Sequence, residues 1–206
     1  MTDAAHAMPA GEAMLPPAEA ELGSGVYNEK LGMWVFLLSE VMFFTALIGS
    51  YIILRFSRPE AWAAPGEVLN IPITAVNTFI LICSSVTMVK AYAAAADGHQ
   101  QALRWWLVAT VLIGATFVGV QAFEYTQLVH HEFVPSAGLY GSTFYTMTGF
   151  HGFHVTMGVL CMMFVTWRAF HGAYTPTDHR GVEVIGLYWH FVDLVWIILF
   201  TIVYLI

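Results

Sequence analysis

Six ionisable side chains fall inside long apolar stretches of this sequence: the acids Glu40, Glu124 and Asp193, and the histidines His151, His154 and His190. Glu40 is the most exacting of them. It sits in residues 31–54, 24 residues with no other charge, about 14 Å from one end at ~1.5 Å per residue. A carboxyl at that depth of a bilayer is costly, so it requires a partner. His151 and His154 are three residues apart and share a helix face, as do His190 and Asp193. Three kinds of chemistry use such groups. Histidines from two helices can hold a metal or a haem, although His-x-x-His spacing alone is a weak signal. Acids and histidines in series can conduct protons, but a relay must reach both surfaces, and no exit is evident towards the N-terminal side. A hydrogen-bonded polar network can instead fix helix register. Counting from each membrane entry puts Glu40, His151, His154 and Asp193 at similar depths. One polar layer through the bundle is therefore expected, with a partner for each group. Glu124 lies nearer a helix end, where some hydration is expected.

The elements that must position these residues are five apolar segments, at about 31–56, 73–95, 103–129, 141–168 and 184–206. Pro59, Pro65, Gly66 and Pro72 break the first connection, Asp97-Gly98-His99 the second, Pro135 and Gly138 the third, and Gly172, Pro176, Asp178 and Gly181 the fourth. Each segment is long enough to cross a bilayer as a helix, and alternating ten-residue barrel strands are absent. The fold class is thus all-α, an integral membrane bundle of five transmembrane helices in residues 30–206. Hydrophobic residues make up 58% of the chain and charged residues 10%, against about 25% charged in a soluble domain. Residues 1–29 are rich in Ala, Pro, Gly and Glu without the pattern of a cleaved signal, and read as a disordered tail. Five basic residues (Lys30, Lys90, Arg104, Arg168, Arg180) fall on one side and two (Arg55, Arg58) on the other. That asymmetry puts the N-terminus in the cytoplasm and the C-terminus outside. Nothing in the composition points to nucleic acid.

Other residues have plainer roles. Thr74, Asn77, Thr78, Ser84 and Ser85 line one broad face of the second segment and read as interhelical glue. Ala115 and Gly119 form a small-xxx-small pair suited to close helix approach. Cys83 and Cys161 lie within apolar segments and are expected as buried reduced thiols. Trp34, Trp62, Trp105, Trp106, Trp167 and Trp189 suit an interfacial aromatic belt. Arg55, Arg58, Trp62, Arg104 and Arg168 are the candidates for holding lipid phosphates.

Several stretches resemble subunit III of the haem–copper oxidases. They are Ser-Glu-Val-Met-Phe-Phe at 39–44, Asn-Thr-Phe at 77–79 with Ser-Ser-Val-Thr at 84–87, and Glu124-Tyr125. The sequences Tyr-Gly-Ser-Thr-Phe-Tyr-Thr-Met-Thr-Gly-Phe-His-Gly-Phe-His-Val at 140–155 and Tyr-Trp-His-Phe-Val-Asp-Leu-Val-Trp at 188–196 complete the set. They occur in order from about residue 30 to 206, and the chain looks like the short five-helix bacterial form. The resemblance implies a respiratory complex of the bacterial plasma membrane that reduces O2 to water and pumps protons. Haem and copper belong to subunits I and II. This chain would hold no metal and no catalytic residue. It would pack mainly on subunit I, bind phospholipid and sustain proton uptake, with a respiratory supercomplex as a further setting. Glu40 matches the family's carbodiimide-reactive carboxyl, which is not regarded as an essential proton carrier. The 39–44 and 140–144 stretches look more like the cytochrome c branch than the quinol branch. An independent ion or proton transporter, and a membrane cytochrome using His151, His154 or His190, are the alternatives from other classes.

Overall fold

A computed structural model describes residues 27–63 and 66–205. The expected disordered tail lies almost wholly outside the described residues, as do Pro65 and Ile206. Five long helices make up the structure: α1 Asn28–Ser57, α2 Ile71–Ala96, α3 Gln100–His130, α4 Leu139–Phe170 and α5 Arg180–Phe200. A π-turn, Thr201–Leu205, extends α5. Each helix starts a few residues before the apolar run does, because polar residues such as Asn28, Gln100 and Arg180 supply its first turn at the membrane edge. All five are long and apolar enough to cross a membrane, and there is no strand among the described residues.

Local chemistry sets the turns. The Asn70 side chain accepts from the Ile73 N–H at 3.3 Å and caps α2, with Pro72 in the first turn, where a missing N–H costs nothing. The α2–α3 turn is only three residues long. Gly98 adopts φ +76° there, a left-handed conformation that glycine takes without steric cost. So short a turn forces α2 and α3 to pack antiparallel.

The helices pack as a ring of four, α2–α3–α4–α5, with α5 closing back on α2. α1 lies outside the ring against α4 and α5. Only Leu37, Phe44 and Tyr51 of α1 are fully buried, one residue in every second turn, whereas α5 buries ten of its 21 residues. The centre of the ring is Trp189. It has no exposed surface, and its indole N–H donates to Ser84 Oγ at 2.9 Å. A Cβ added at Gly114 of α3 would lie 2.7 Å from its ring, and one at Gly158 of α4 would lie 3.0 Å away. Both glycines are therefore sites of close approach, where any side chain would displace the indole.

Three expectations change. Trp189 is a core residue and not part of the interfacial belt, because α5 is covered on three sides; Trp34, Trp105 and Trp167 do face outward. Ala115 and Gly119 are exposed, and the close approach falls one residue earlier, at Gly114. Cys83 and Cys161 are both free thiols, but Cys83 is only half-buried and Cys161 is exposed, because it faces the open space between α1, α4 and α5.

Candidate functional site: polar pairs and an arginine-rimmed cleft

The expected single polar layer is divided into separate sites. The first joins α1 to α4. Glu40 Oε2 lies 3.0 Å from His154 Nε2, with both side chains mostly covered. The other ring nitrogen, Nδ1, lies 2.7 Å from the Phe150 carbonyl. A carbonyl only accepts, so Nδ1 carries a hydrogen. The Glu40–His154 contact then holds one proton. Either the carboxyl donates to a neutral imidazole, or an imidazolium donates to the carboxylate. Both arrangements have zero net charge, the condition a low-dielectric site favours. Phe44 packs edge-on to the His154 ring at 5.3 Å, and the Tyr188 hydroxyl donates to the His154 carbonyl at 2.8 Å, which fixes this turn of α4 against α5.

The second site joins α2 to α5. Ser85 Oγ lies 2.6 Å from Asp193 Oδ2 and 3.2 Å from His190 Nδ1. The third is Glu124, which is buried rather than hydrated. Its Oε1 accepts from Thr74 Oγ1 at 2.9 Å and from Tyr204 Oη at 3.2 Å. The C-terminal π-turn carries Tyr204 over it, a covering that segment length alone does not predict. His151 joins none of these. Its ring is fully buried, stacks on Trp196 at 4.8 Å, and has no hydrogen-bond partner among the described residues for either nitrogen. No group of three potential ligands converges on a metal position among the described residues.

The polar face of α2 is shared out among these contacts. Thr74 meets Glu124, the Asn77 amide donates to the Phe117 carbonyl at 3.2 Å, Thr78 accepts from the Trp196 indole at 2.9 Å, Ser84 accepts from Trp189, and Ser85 meets Asp193. Every one of them ties α2 to α3 or α5, which is the packing role expected from the sequence.

A different feature lies at the end of the bundle where α1 and α5 begin. An open cleft of about 820 Å³ runs between α1, α4 and α5. Met33, Leu160, Phe164, Val165 and Ile185 form its apolar lining, while Arg168, Arg180, Glu29 and Asp178 stand at its polar end. Arg168 packs over the Tyr174 ring at 5.4 Å, and Arg180 over Tyr27 at 5.2 Å. Burial pushes the Tyr174 hydroxyl above its ordinary range, although the Arg168 guanidinium pulls the other way. Gly181 makes room for that tyrosine, because a Cβ there would lie 2.9 Å from Tyr174 Oη. Beside the cleft, Lys30 Nζ meets Glu183 Oε1 at 2.5 Å, and the Tyr27 hydroxyl donates to the same carboxylate at 2.8 Å.

The candidate lipid residues are thereby separated. Of the five, Arg168 lines the cleft. Arg104 is engaged elsewhere: its Nε donates to the Ala169 carbonyl at 3.1 Å, satisfying the C-terminal end of α4. Arg55 donates to Tyr51 Oη at 2.9 Å, Trp62 packs edge-on to the same tyrosine, and Arg58 is exposed; all three lie at the opposite end of the bundle. Sequence reasoning missed Arg180, Glu29 and Asp178 as cleft residues. The turn of the α4–α5 connection places Asp178 and Arg180 there, and the packing of α1 on α4 and α5 brings Glu29 beside them.

The profile of the cytochrome c oxidase subunit III family matches residues 24–206. The chain is 40% identical over 178 residues to cytochrome c oxidase subunit 3 of Corynebacterium diphtheriae, covering 85% of this chain and 87% of that one. It is 42% identical over 176 residues to cytochrome c oxidase subunit 3 of Synechocystis sp., covering 84% and 74%. It is 38% identical over 176 residues to that of Thermostichus vulcanus, covering 85% and 86%. With five membrane-crossing helices and this match over nearly its whole described length, the chain belongs to the cytochrome c oxidase subunit III family.

Proposed function

We propose that this chain is the non-catalytic, lipid-holding third subunit of a proton-pumping cytochrome c oxidase in the bacterial plasma membrane. It packs on subunit I, which with subunit II carries the haem and copper, and it sustains proton uptake during turnover. Cytochrome c, rather than quinol, is the donor of the complex. The end bearing Lys30, Lys90, Arg104, Arg168 and Arg180 faces the cytoplasm.

The observation that carries the lipid role is the cleft between α1, α4 and α5. Its long wall is apolar and its charged groups are gathered at one end, the polarity of a phospholipid. Guanidiniums bind phosphate through charge-assisted hydrogen bonds. The Glu29 and Asp178 carboxylates at the same end suit an ammonium, so a zwitterionic headgroup fits better than a purely anionic one. None of the polar pairs needs to turn over substrate for this role. Glu40–His154 and Ser85–His190–Asp193 serve as interhelical hydrogen bonds that hold the walls of the bundle together.

The test is Arg168→Ala in the intact oxidase. Bound phospholipid should fall, the initial oxidase rate should stay largely intact, and the enzyme should inactivate sooner during turnover. Unchanged lipid content together with an unchanged working life would count against the role.

A further inference from the structure

His190 and its neighbours on the outer face of α2 and α5 point to a docking surface. Ser85 has one hydroxyl hydrogen, yet it lies between two groups, Asp193 Oδ2 at 2.6 Å and His190 Nδ1 at 3.2 Å. The three therefore form a chain with a direction. If Asp193 is ionised, Ser85 donates to it and Nδ1 donates to Ser85. Zero net charge then requires an imidazolium. If Asp193 is neutral, its proton belongs on Oδ2, because Oδ1 is buried without a hydrogen-bond partner among the described residues. Asp193 then donates to Ser85, Ser85 donates to Nδ1, and the imidazole hydrogen is on Nε2. A net charge this deep is strongly disfavoured. In both uncharged arrangements Nε2 bears a hydrogen, and no acceptor among the described residues meets it.

That donor lines a groove of about 230 Å³ between α2 and α5, with Val89, Tyr92 and Leu187 on its walls. Gly186 lets Met88 pack closely at the base of the groove, since a Cβ there would come within 3.3 Å of Met88 Cε. His190 is about 15 Å along α5 from its start, at ~1.5 Å per residue. At that depth acyl chains offer no acceptor. A protein segment there must be helical, because its backbone has to satisfy itself. We propose that this groove docks a transmembrane helix of another oxidase subunit, one that presents a side-chain hydrogen-bond acceptor to His190 Nε2. The inference rests on the chain being an oxidase subunit and adds the surface and the chemistry of the contact.

The experiment uses the whole oxidase, purified through a tag on the haem-bearing subunit. A photoactivatable phenylalanine replacing Val89, which is 53% exposed in the isolated chain, should give an adduct with another oxidase subunit. Retention of this chain through a detergent wash should fall about threefold in His190→Leu, the size of one interhelical hydrogen bond, and be kept in His190→Gln, whose amide still donates. A wild-type chain that fails to copurify overturns the subunit reading, and this inference with it. A wild-type chain that copurifies while the Val89 probe labels only lipid, or only a second copy of this chain, overturns the docking surface alone. Equal retention of His190→Leu and wild type does the same.

Discussion

Two histidine–carboxyl sites cross the bundle, and they are built differently. Glu40 and His154 touch directly, and the Phe150 carbonyl takes up the remaining ring nitrogen. His190 and Asp193 communicate through Ser85, which leaves one ring nitrogen open at the surface. The first site is closed and joins the loosely held α1 to the ring. The second is open and lies on a helix pair already fixed by Trp189 and Trp196. Similar residue types thus serve two ends: self-sufficiency where a helix needs holding, and an unused donor where the helices are already held.

The sharpest way to break the contrast is to loosen the ring itself. Trp189→Ala removes the side chain that fills the space left by Gly114 and Gly158 and bonds Ser84. It should cost about 3–5 kcal/mol, the range for large aromatic truncations, and lower the detergent melting temperature more than any change in α1. A smaller loss is expected for Glu40→Leu, which leaves His154 Nε2 without its acid. Interhelical hydrogen bonds in membranes average about 0.6 kcal/mol and reach about 1.7, so a loss of about 1–2 kcal/mol should be measured. A cycle with His154→Leu should then show the double variant losing less than the two single losses combined, because the pair acts as one unit. Additive losses would mean that the contact does not couple α1 to α4. Glu183→Gln, at a partly exposed ion pair with Lys30, should cost under about 1 kcal/mol. The difference from wild type should shrink as salt rises, and a salt-independent loss would refute the screening argument.

The five helices were legible because each is an uninterrupted apolar run bounded by Pro, Gly or Asp, and bilayer thickness allows few other readings. The polar sites were legible as residues but not as partners. Depth along a helix can be counted from sequence, but rotation about its axis cannot. Glu40, His151, His154 and Asp193 share a level, yet His151 faces Trp196 in the core while His154, three residues on, faces α1. Glu124 was misread because the π-turn that extends α5 sets Tyr204 over it, and i→i+5 bonding leaves no mark in an apolar pattern. Trp189 reads as a belt residue by type, but α5 is covered on three sides and two glycines on other helices leave room for its ring. The cleft depends on the α4–α5 connection, where Tyr174, Asp178 and Arg180 are brought beside Arg168 by loop geometry rather than by any periodicity.

Native mass spectrometry of the oxidase, purified through its haem-bearing subunit, decides whether this chain holds phospholipid for a neighbouring catalytic subunit. This chain should appear in the intact complex with phospholipid that leaves together with it, and that lipid should be lost in an Arg168→Ala, Arg180→Ala double variant. A complex that retains the chain but carries no lipid dependent on these two arginines would contradict it.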